Sequence, residues 1–337
     1  MKWSMTYILS HDMVTNMIHQ IGLKTVYRQL VRQMKLDYMH WHDFHHQSRI
    51  SAESPNGVIE LMPIHNQQHY AFKYVNGHPS NPSRQLPSVC AFGCLSDMDS
   101  GIPVLIADMT LLTAIRTAAC AAMVYDCIRY PQDTIDIAII GTGAQSEFQI
   151  TAMHEMHPIG TCYYYDIDDH AMQKFSDNLS EYPFNLQAIN GVADIPSACD
   201  VIITATSCLT PSALAIKQSN RRKIIIAIGG DAPNKQELNR TLIENSTVIV
   251  EYLAQTKREG EIKSANPKQI ITLHELVQSK QTLSNDLIVF DSVGFAIEDY
   301  STLVMCQGWF ESLPPHEFFG VLDDPKNLFS QIIQGTP

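Results

Sequence analysis

The aliphatic run Ile135-Asp-Ile-Ala-Ile-Ile140 leads directly into Gly141-Thr-Gly-Ala-Gln-Ser146. This is a G-x-G-x-x-G type turn with Ser146 in the third place, where Gly or Ala is usual. Between a strand and a helix, such a turn receives a pyrophosphate. Gly141 permits the tight turn and Gly143 lets the backbone approach the ligand. The helix start supplies unpaired N–H groups and the positive end of its dipole. A second strand ends in Tyr165-Asp166, at the spacing where a carboxylate meets an adenosine ribose. Asp166 would accept hydrogen bonds from both ribose hydroxyls and repel a 2′-phosphate, which favours NAD over NADP. The competing reading is that Asp166, Asp168 and Asp169 only cap a helix.

Three further charges stand in apolar surroundings. Arg116 is the only charge between Asp108 and Asp126, within Thr113-Ala-Ile-Arg-Thr-Ala-Ala-Cys-Ala-Ala122. A guanidinium there needs an anion, because an unpaired buried charge is costly. A phosphate and a protein carboxylate serve equally. Strand alternation puts Lys73 on the face of Ala71 and Val75, opposite Phe72 and Tyr74. An inward lysine meets an anion such as a substrate carboxylate; an edge lysine snorkels to water. Asp231 follows Lys223-Ile-Ile-Ile-Ala-Ile-Gly-Gly230, just past the carboxyl end of an expected parallel strand, where ligands of open α/β sheets bind. It is the best-placed proton-transferring carboxylate, or else a cap for the turn that follows. His42 and His46 have zinc-ligand spacing on a helix, but no third ligand is evident. Cys90 and Cys94 have no matching second pair, so no metal is expected.

These residues need a scaffold. Residues 1 to about 50 read as helical. Short runs at 57–62, 70–75, 88–92 and 103–106 read as strands, and a small-residue helix follows from about 110 to 128. After Pro131 strands alternate with helices: strands at 135–140, 161–165, 200–204, 223–228, 247–251 and 287–290, with helices over 144–157 and from about 168. That rhythm indicates an α/β, Rossmann-type doubly wound parallel sheet beside an α+β domain. The expected division is 1–128 with 303–337 for the α+β domain and 129–302 for the nucleotide-binding domain. The 337 residues carry 35 acidic and 23 basic side chains, a net charge of −12 that disfavours nucleic acid and anionic membranes. No run of 18 apolar residues and no signal-peptide core stands out. Eight scattered cysteines without C-x-x-C suit reduced thiols in a cytoplasm.

The chain also contains Gly57-Val-Ile-Glu-Leu-Met-Pro63, Tyr70-Ala-Phe-Lys-Tyr-Val-Asn-Gly-His-Pro79, Ala91-Phe-Gly93, Asp99-Ser-Gly101 and Ala114-Ile-Arg-Thr-Ala118. Gly141-Thr-Gly-Ala-Gln-Ser-Glu-Phe148, Ile228-Gly-Gly-Asp231, Arg258-Glu-Gly-Glu-Ile262, Asp291-Ser-Val-Gly-Phe-Ala296 and Glu298-Asp-Tyr300 follow in order. Together they resemble the ornithine cyclodeaminase/μ-crystallin family, and its cyclodeaminase branch most. The resemblance implies that Arg49 and Lys73 hold a substrate α-carboxylate, with Glu60, Met62 and Val293 lining the pocket. Asp231 would be the catalytic acid/base and touch both substrate and cofactor. Arg116 would bind the cofactor phosphates. Ser88, Ala144, Gln145, Asp166 and Thr206 would line an NAD site with Gly141 and Gly143. Ile228, Gly229, Gly230, Lys235 and Ser292 would complete it.

The implied reaction converts L-ornithine to L-proline and ammonia, with NAD used catalytically, in a homodimer built through the strand-rich domain. Other readings are a lysine cyclodeaminase, an NAD-dependent amino-acid dehydrogenase or cyclic imine reductase, and a non-catalytic crystallin-like nucleotide-binding protein. Two features depart from the family pattern. Pro87-Ser88 stands where a residue followed by Thr is usual, and the tail after Gln331 is short.

Overall fold

Two strand patterns divide the chain. Between 57 and 108 the strands are mixed runs broken by Gly, Pro, Asn and Ser, as in an antiparallel sheet. Beyond 134 the strands are continuous aliphatic runs, as in a parallel sheet covered on both sides. The computed structural model describes residues 6–128, 134–206, 208–209, 222–278, 283 and 286–309. Its first part contains β1 (Tyr7–Leu9), α1 (His11–Ile21), α2 (Leu23–Met39), β2 (His45–His46), β3 (Ile50–Ser54), β4 (Gly57–His65), β5 (His69–Gly77), β6 (Val89–Asp97), β7 (Pro103–Asp108) and α3 (Thr110–Ile128). There follow β8 (Ile135–Ile140), α4 (Ser146–Met156), β9 (Ile159–Tyr165), α5 (Asp169–Leu179), β10 (Asn185–Ala188), β11 (Val201–Thr204) and β12 (Lys223–Ala227). The remainder is α6 (Arg240–Glu244), β13 (Thr247–Val250), α7 (Leu253–Glu259), β14 (Gln269–Thr272), α8 (Leu273–Gln278), β15 (Leu287–Asp291) and α9 (Ala296–Gln307).

The first sheet has the order β1-β7-β6-β5-β4-β2, with β3 also paired to β4. Its strands are antiparallel except β1, which runs parallel to β7 in the register Tyr7↔Leu105. The expectation of helix throughout residues 1–50 is therefore corrected at β1, β2 and β3. These strands have at most five residues, too few for periodicity to show, and distant pairing partners define them. One face of this sheet, with Ala71, Lys73, Ala91 and Leu95 buried, lies under α9. At Gly93 a Cβ would come within 3.1 Å of Leu303 in α9. The opposite face carries Tyr70, Phe72, Tyr74 and Phe92 as a ring ladder, with Tyr74 and Phe92 stacked at 5.3 Å.

The second sheet is wholly parallel, in the order β10-β9-β8-β11-β12-β15-β13-β14. The chain moves outward from β8 through β9 and β10, then crosses back to β11 on the other side. The carboxyl ends of β8 and β11 thus form the topological switch point where open α/β sheets hold ligands. This is the Rossmann-type domain expected from the sequence, joined to an α+β domain. Helix α3 has the length and composition of a membrane span, yet its residues are buried against α2, α4 and α9. Helix α9 packs against α2, α3 and β4–β7, so by packing the chain is back on the first sheet from Ala296, ahead of residue 303. Residues 310–337, which hold the short tail, lie outside the described residues.

His42 and His46 do not share a helical face: His42 sits in a single turn and His46 on β2. The His46 ring stacks on Trp41 at 3.7 Å, and its Nε2–H donates to the Trp41 carbonyl. Burial pulls the pKa of His46 from 6.5 down to about 4. The unfolded chain binds this proton at a pH where the native state does not. Stability should therefore fall as pH drops from about 6.5 toward about 4. His46→Phe should flatten the melting temperature across that window, and an unchanged slope would disprove the assignment.

Candidate active site at the domain seam

The turn after β8 is closed from several sides. Gly141 has φ +96°, and a Cβ on it would lie 2.5 Å from the Ala205 carbonyl just past β11, so only glycine fits. At Gly143 a Cβ would meet nothing within 4 Å, which leaves open space over the turn. The Ser146 hydroxyl donates to the Gly143 carbonyl at 2.7 Å. This unusual third residue thus ties the turn shut with a bond that Gly or Ala lacks. Thr142 donates its N–H (2.6 Å) and hydroxyl (3.2 Å) to Asp166 Oδ2, linking the turn to the end of β9. Asp168, not Asp166, caps α5 by accepting the His170 N–H at 2.9 Å. Ala144 is exposed, and Gln145 Oε1 is buried without a hydrogen-bond partner at the start of α4.

Beyond β12 the chain runs through Ile228, Gly229 and Gly230 to Asp231. The Ile228 N–H extends the sheet by donating to Thr204 O at 2.9 Å. A Cβ on Gly230 would lie 2.1 Å from Glu261 Oε1, so the loop passes too close for any side chain. Asp231 Oδ1 accepts from Lys235 Nζ at 2.8 Å, with 43% of the Asp231 side chain exposed. Burial opposes the Lys235 charge, but Asp231, Glu237 and Glu60 hold its pKa up. Glu60 belongs to β4 of the other domain, so its field reaches Lys235 across the seam.

The facing wall carries three cations, each paired with carboxylates, and is largely buried. Lys73 Nζ lies 2.7 Å from Asp299 Oδ1. Arg116 Nη1 lies 2.6 Å from Glu298 Oε2, and its Nε lies 3.1 Å from Asp299 Oδ1. Arg49 meets Glu60 at 3.0 Å and Glu259 at 3.2 Å, and donates to the carbonyls of Val293 and Gly294. Burial, followed by repulsion from Arg116, pulls Lys73 down to about 8. For Arg116 burial works against the charge, but Asp299 and Glu298 more than offset it and hold it protonated. The Ser292 hydroxyl and the Gly294 N–H donate to Glu251 Oε1 at 2.7 and 3.2 Å, which fixes the turn carrying Val293. Burial and the neighbouring Glu298 carboxyl push Glu251 up.

The expected site residues fall into two groups. Gly141, Gly143, Asp166, Thr206, Gly229, Gly230 and Asp231 line the carboxyl edge of the parallel sheet. Arg49, Glu60, Lys73, Arg116 and Val293 meet in the seam. Met62 is buried beside Lys73 as its register partner. Ser88 is half-buried just before β6, with its carbonyl accepting the His78 N–H at 2.8 Å. The residues around Arg116 left its anion open and the family resemblance implied cofactor phosphates; the structure pairs it with two carboxylates, Glu298 and Asp299. Sequence reasoning assigned no role to Glu251, Glu259, Glu298 or Asp299; acids inside apolar runs were the signal available. It also passed over Ile167 (91% exposed) and Leu209 (67%), apolar side chains beyond β9 and β11 on either side of the Gly141 turn.

The sequence profile of the ornithine cyclodeaminase/mu-crystallin family matches residues 11–312. The ornithine cyclodeaminase of Agrobacterium fabrum is 36% identical over 321 residues, covering 93% of this chain and 90% of that protein. A solved lysine cyclodeaminase, described as recognising L-lysine, L-ornithine and L-2,4-diaminobutyric acid, is similar at TM-score 0.84 and 26% identity. That match covers 93% of this chain and 94% of the other. An archaeal alanine dehydrogenase dimer with bound NAD shares the fold at TM-score 0.78 and 24% identity, covering 93% and 99%. With this sheet order, this seam and a match along most of its length, the chain belongs to the ornithine cyclodeaminase/mu-crystallin family.

Proposed function

We propose that this enzyme is an ornithine cyclodeaminase that converts L-ornithine to L-proline and ammonia with catalytic use of NAD. The observation that carries the reading is the pairing of walls: buried Lys73 and Arg49 on one side, and Asp231 at the sheet edge on the other. An amino acid held by its α-carboxylate on the first wall presents its amines to the second. The crevice fits NAD by its own chemistry. The space over Gly143 and the unpartnered Gln145 Oε1 suit a ligand backed by the start of α4. The Asp166 carboxylate suits ribose hydroxyls and disfavours a 2′-phosphate.

NAD, when bound, supplies a reversible two-electron acceptor for Cα. Asp231 takes a proton from the α-amine as Cα is oxidised to an iminium. Lys73 and Arg49 hold the carboxylate so that the δ-amine attacks that carbon within the same molecule, a step favoured by proximity. Asp231 then moves a proton between the two nitrogens so that ammonia leaves. Reduction of the resulting cyclic imine gives L-proline, and no net NADH remains. Arg116 sits beside the Ser292–Gly294 turn, where it would face the cofactor phosphates. A Cβ on Gly294 would lie 2.7 Å from Arg116 Nη1. Thr206, Lys235, Ser88 and Ser292 would complete the cofactor contacts.

The reading extends to a homodimer through the ring ladder of β5 and β6, where Tyr70, Phe92 and Ile59 stay 37–42% exposed on a broad apolar face. It places the enzyme in the cytoplasm, where eight free thiols stay reduced. L-lysine is the second substrate to try, because the similar lysine cyclodeaminase is described as recognising both diamino acids.

The deciding assay supplies L-ornithine with substoichiometric NAD+ and follows proline, ammonia and NADH. The expected result is proline and ammonia in equal amounts, many turnovers per NAD+ and no net NADH, with NADP+ a poor substitute. Net NADH would point instead to an amino-acid dehydrogenase. Tight NAD binding with no product from either diamino acid would point to a non-catalytic protein.

A further inference from the structure

Glu237 is completely buried, and its carboxylate accepts hydrogen bonds from four donors. Oε1 takes the Thr206 N–H at 2.6 Å and the Thr206 hydroxyl at 2.7 Å. Oε2 takes the Gly229 N–H at 2.8 Å and the Thr204 hydroxyl at 2.7 Å. Thr206 and Gly229 belong to two neighbouring loops on the β11 side of the crevice, one past β11 and the other past β12, two positions ahead of Asp231. The loops touch: a Cβ on Gly229 would lie 2.0 Å from the Thr206 carbonyl and 2.7 Å from Glu237 Cδ. One side chain therefore bonds to both loops where they meet.

Glu237 is itself held by a second acid, and that acid by a third. The N–H groups of Glu237 and Leu238 donate to the two oxygens of Glu261 at 2.7 and 2.9 Å. Those of Glu261 and Ile262 donate to the two oxygens of Asp291 at 2.9 and 3.0 Å. A ladder of three carboxylates thus steps from the end of β15 toward the carboxyl edge of the sheet: Asp291 and Glu261 each span two consecutive peptide N–H groups, and Glu237 joins the N–H groups of two separate loops. Burial raises the pKa of all three, and the N–H groups that donate to them work against that rise.

We propose that Glu237 is a positioning residue for the reaction: it sets the distance between the Thr206 loop and the Asp231 loop, with Glu261 and Asp291 keeping it in register. The inference rests on reading this crevice as the NAD site and Asp231 as the proton carrier. Its chemistry has a specific consequence. Each Glu237 oxygen faces a backbone N–H, which has no acceptor to offer. Glu237→Gln, although isosteric, must turn its NH2 toward one of those donors. One loop then loses its bond and is pushed away.

The test compares wild type and Glu237→Gln by NADH fluorescence titration, by kcat and KM for L-ornithine, and by circular dichroism. NADH affinity and kcat should each fall by about ten-fold or more, the effect of leaving a buried donor unpaired. KM should stay within about two-fold, because Lys73 and Arg49 bind the carboxylate on the opposite wall. A folded variant with near wild-type NADH affinity and kcat would overturn the proposal. So would a loss shared equally by KM, which marks general loosening. If Glu237→Gln does not fold, Thr204→Val removes one of the four bonds more gently. Weaker NADH binding with unchanged KM in that variant supports the proposal, and no change in either overturns it. Wild type that binds NADH but does not convert L-ornithine would sink the substrate assignment alone, and the NADH comparison would still decide the role of Glu237. Wild type that does not bind NADH would overturn both.

Discussion

Asp231→Asn should lower kcat for L-ornithine by about three orders of magnitude, the middle of the range for removing a general acid/base. NADH affinity should stay close to that of wild type. Asparagine keeps the shape and one acceptor oxygen, so the contact with Lys235 at 2.8 Å survives in weaker form. The loop stays in place because Gly229 and Gly230 are anchored by close approach to Thr206 and Glu261, not by Asp231. What disappears is the capacity to take a proton from the α-amine and return it to the leaving nitrogen. Steady-state kinetics with a parallel NADH titration separates these effects. A kcat within ten-fold of wild type would remove Asp231 from the mechanism and shift attention to Glu60, the carboxylate whose field reaches Lys235 from the other wall.

Lys73→Met should act on binding and stability together. Lys73 is 1% exposed and bonded to Asp299, so its removal leaves a buried carboxylate short of one partner. Breaking such a pair costs about 3–5 kcal/mol, and the lower end applies because Arg116 Nε remains 3.1 Å from the same oxygen. With the substrate carboxylate held as proposed, it also loses a buried cation, and KM should rise by about 100-fold. A pH series adds a signature. Burial and Arg116 bring Lys73 to about 8, so in wild type its charge is present below that pH and lost above it. Wild-type kcat/KM should therefore decline as pH rises through about 8, beyond the titration of the substrate's own amine. The methionine variant should lack that component. Equal KM values for the two proteins would show that the carboxylate binds elsewhere.

Much of this molecule is legible locally. The boundaries of α3 agree with the small-residue run that ends at Ile128, and the strands of the parallel sheet stand out as Ile and Val runs because both of their faces are buried. The Gly141 turn is readable because its chemistry lies in consecutive residues. Alternation sets Lys73 on the face of Ala71 and Val75, and the packing of α9 makes that face the buried one. The side each residue faces is written in the period of its own element.

The partner it meets there is a different matter. Arg116 finds Glu298 and Asp299 on a helix near the other end of the chain, and β1 becomes a strand only because β7 accepts it in parallel register. The Ser146 hydroxyl looks like a defect in the motif until it is seen closing the turn, and Glu237 carries no motif at all. The sequence by itself determined the central strands of the parallel sheet, the nucleotide turn and the family. Tertiary structure alone decided how charges pair across the seam and how the acid ladder holds the crevice. Periodicity is a property of neighbours along the chain, whereas ion pairs and buried hydrogen bonds join residues that only folding brings together.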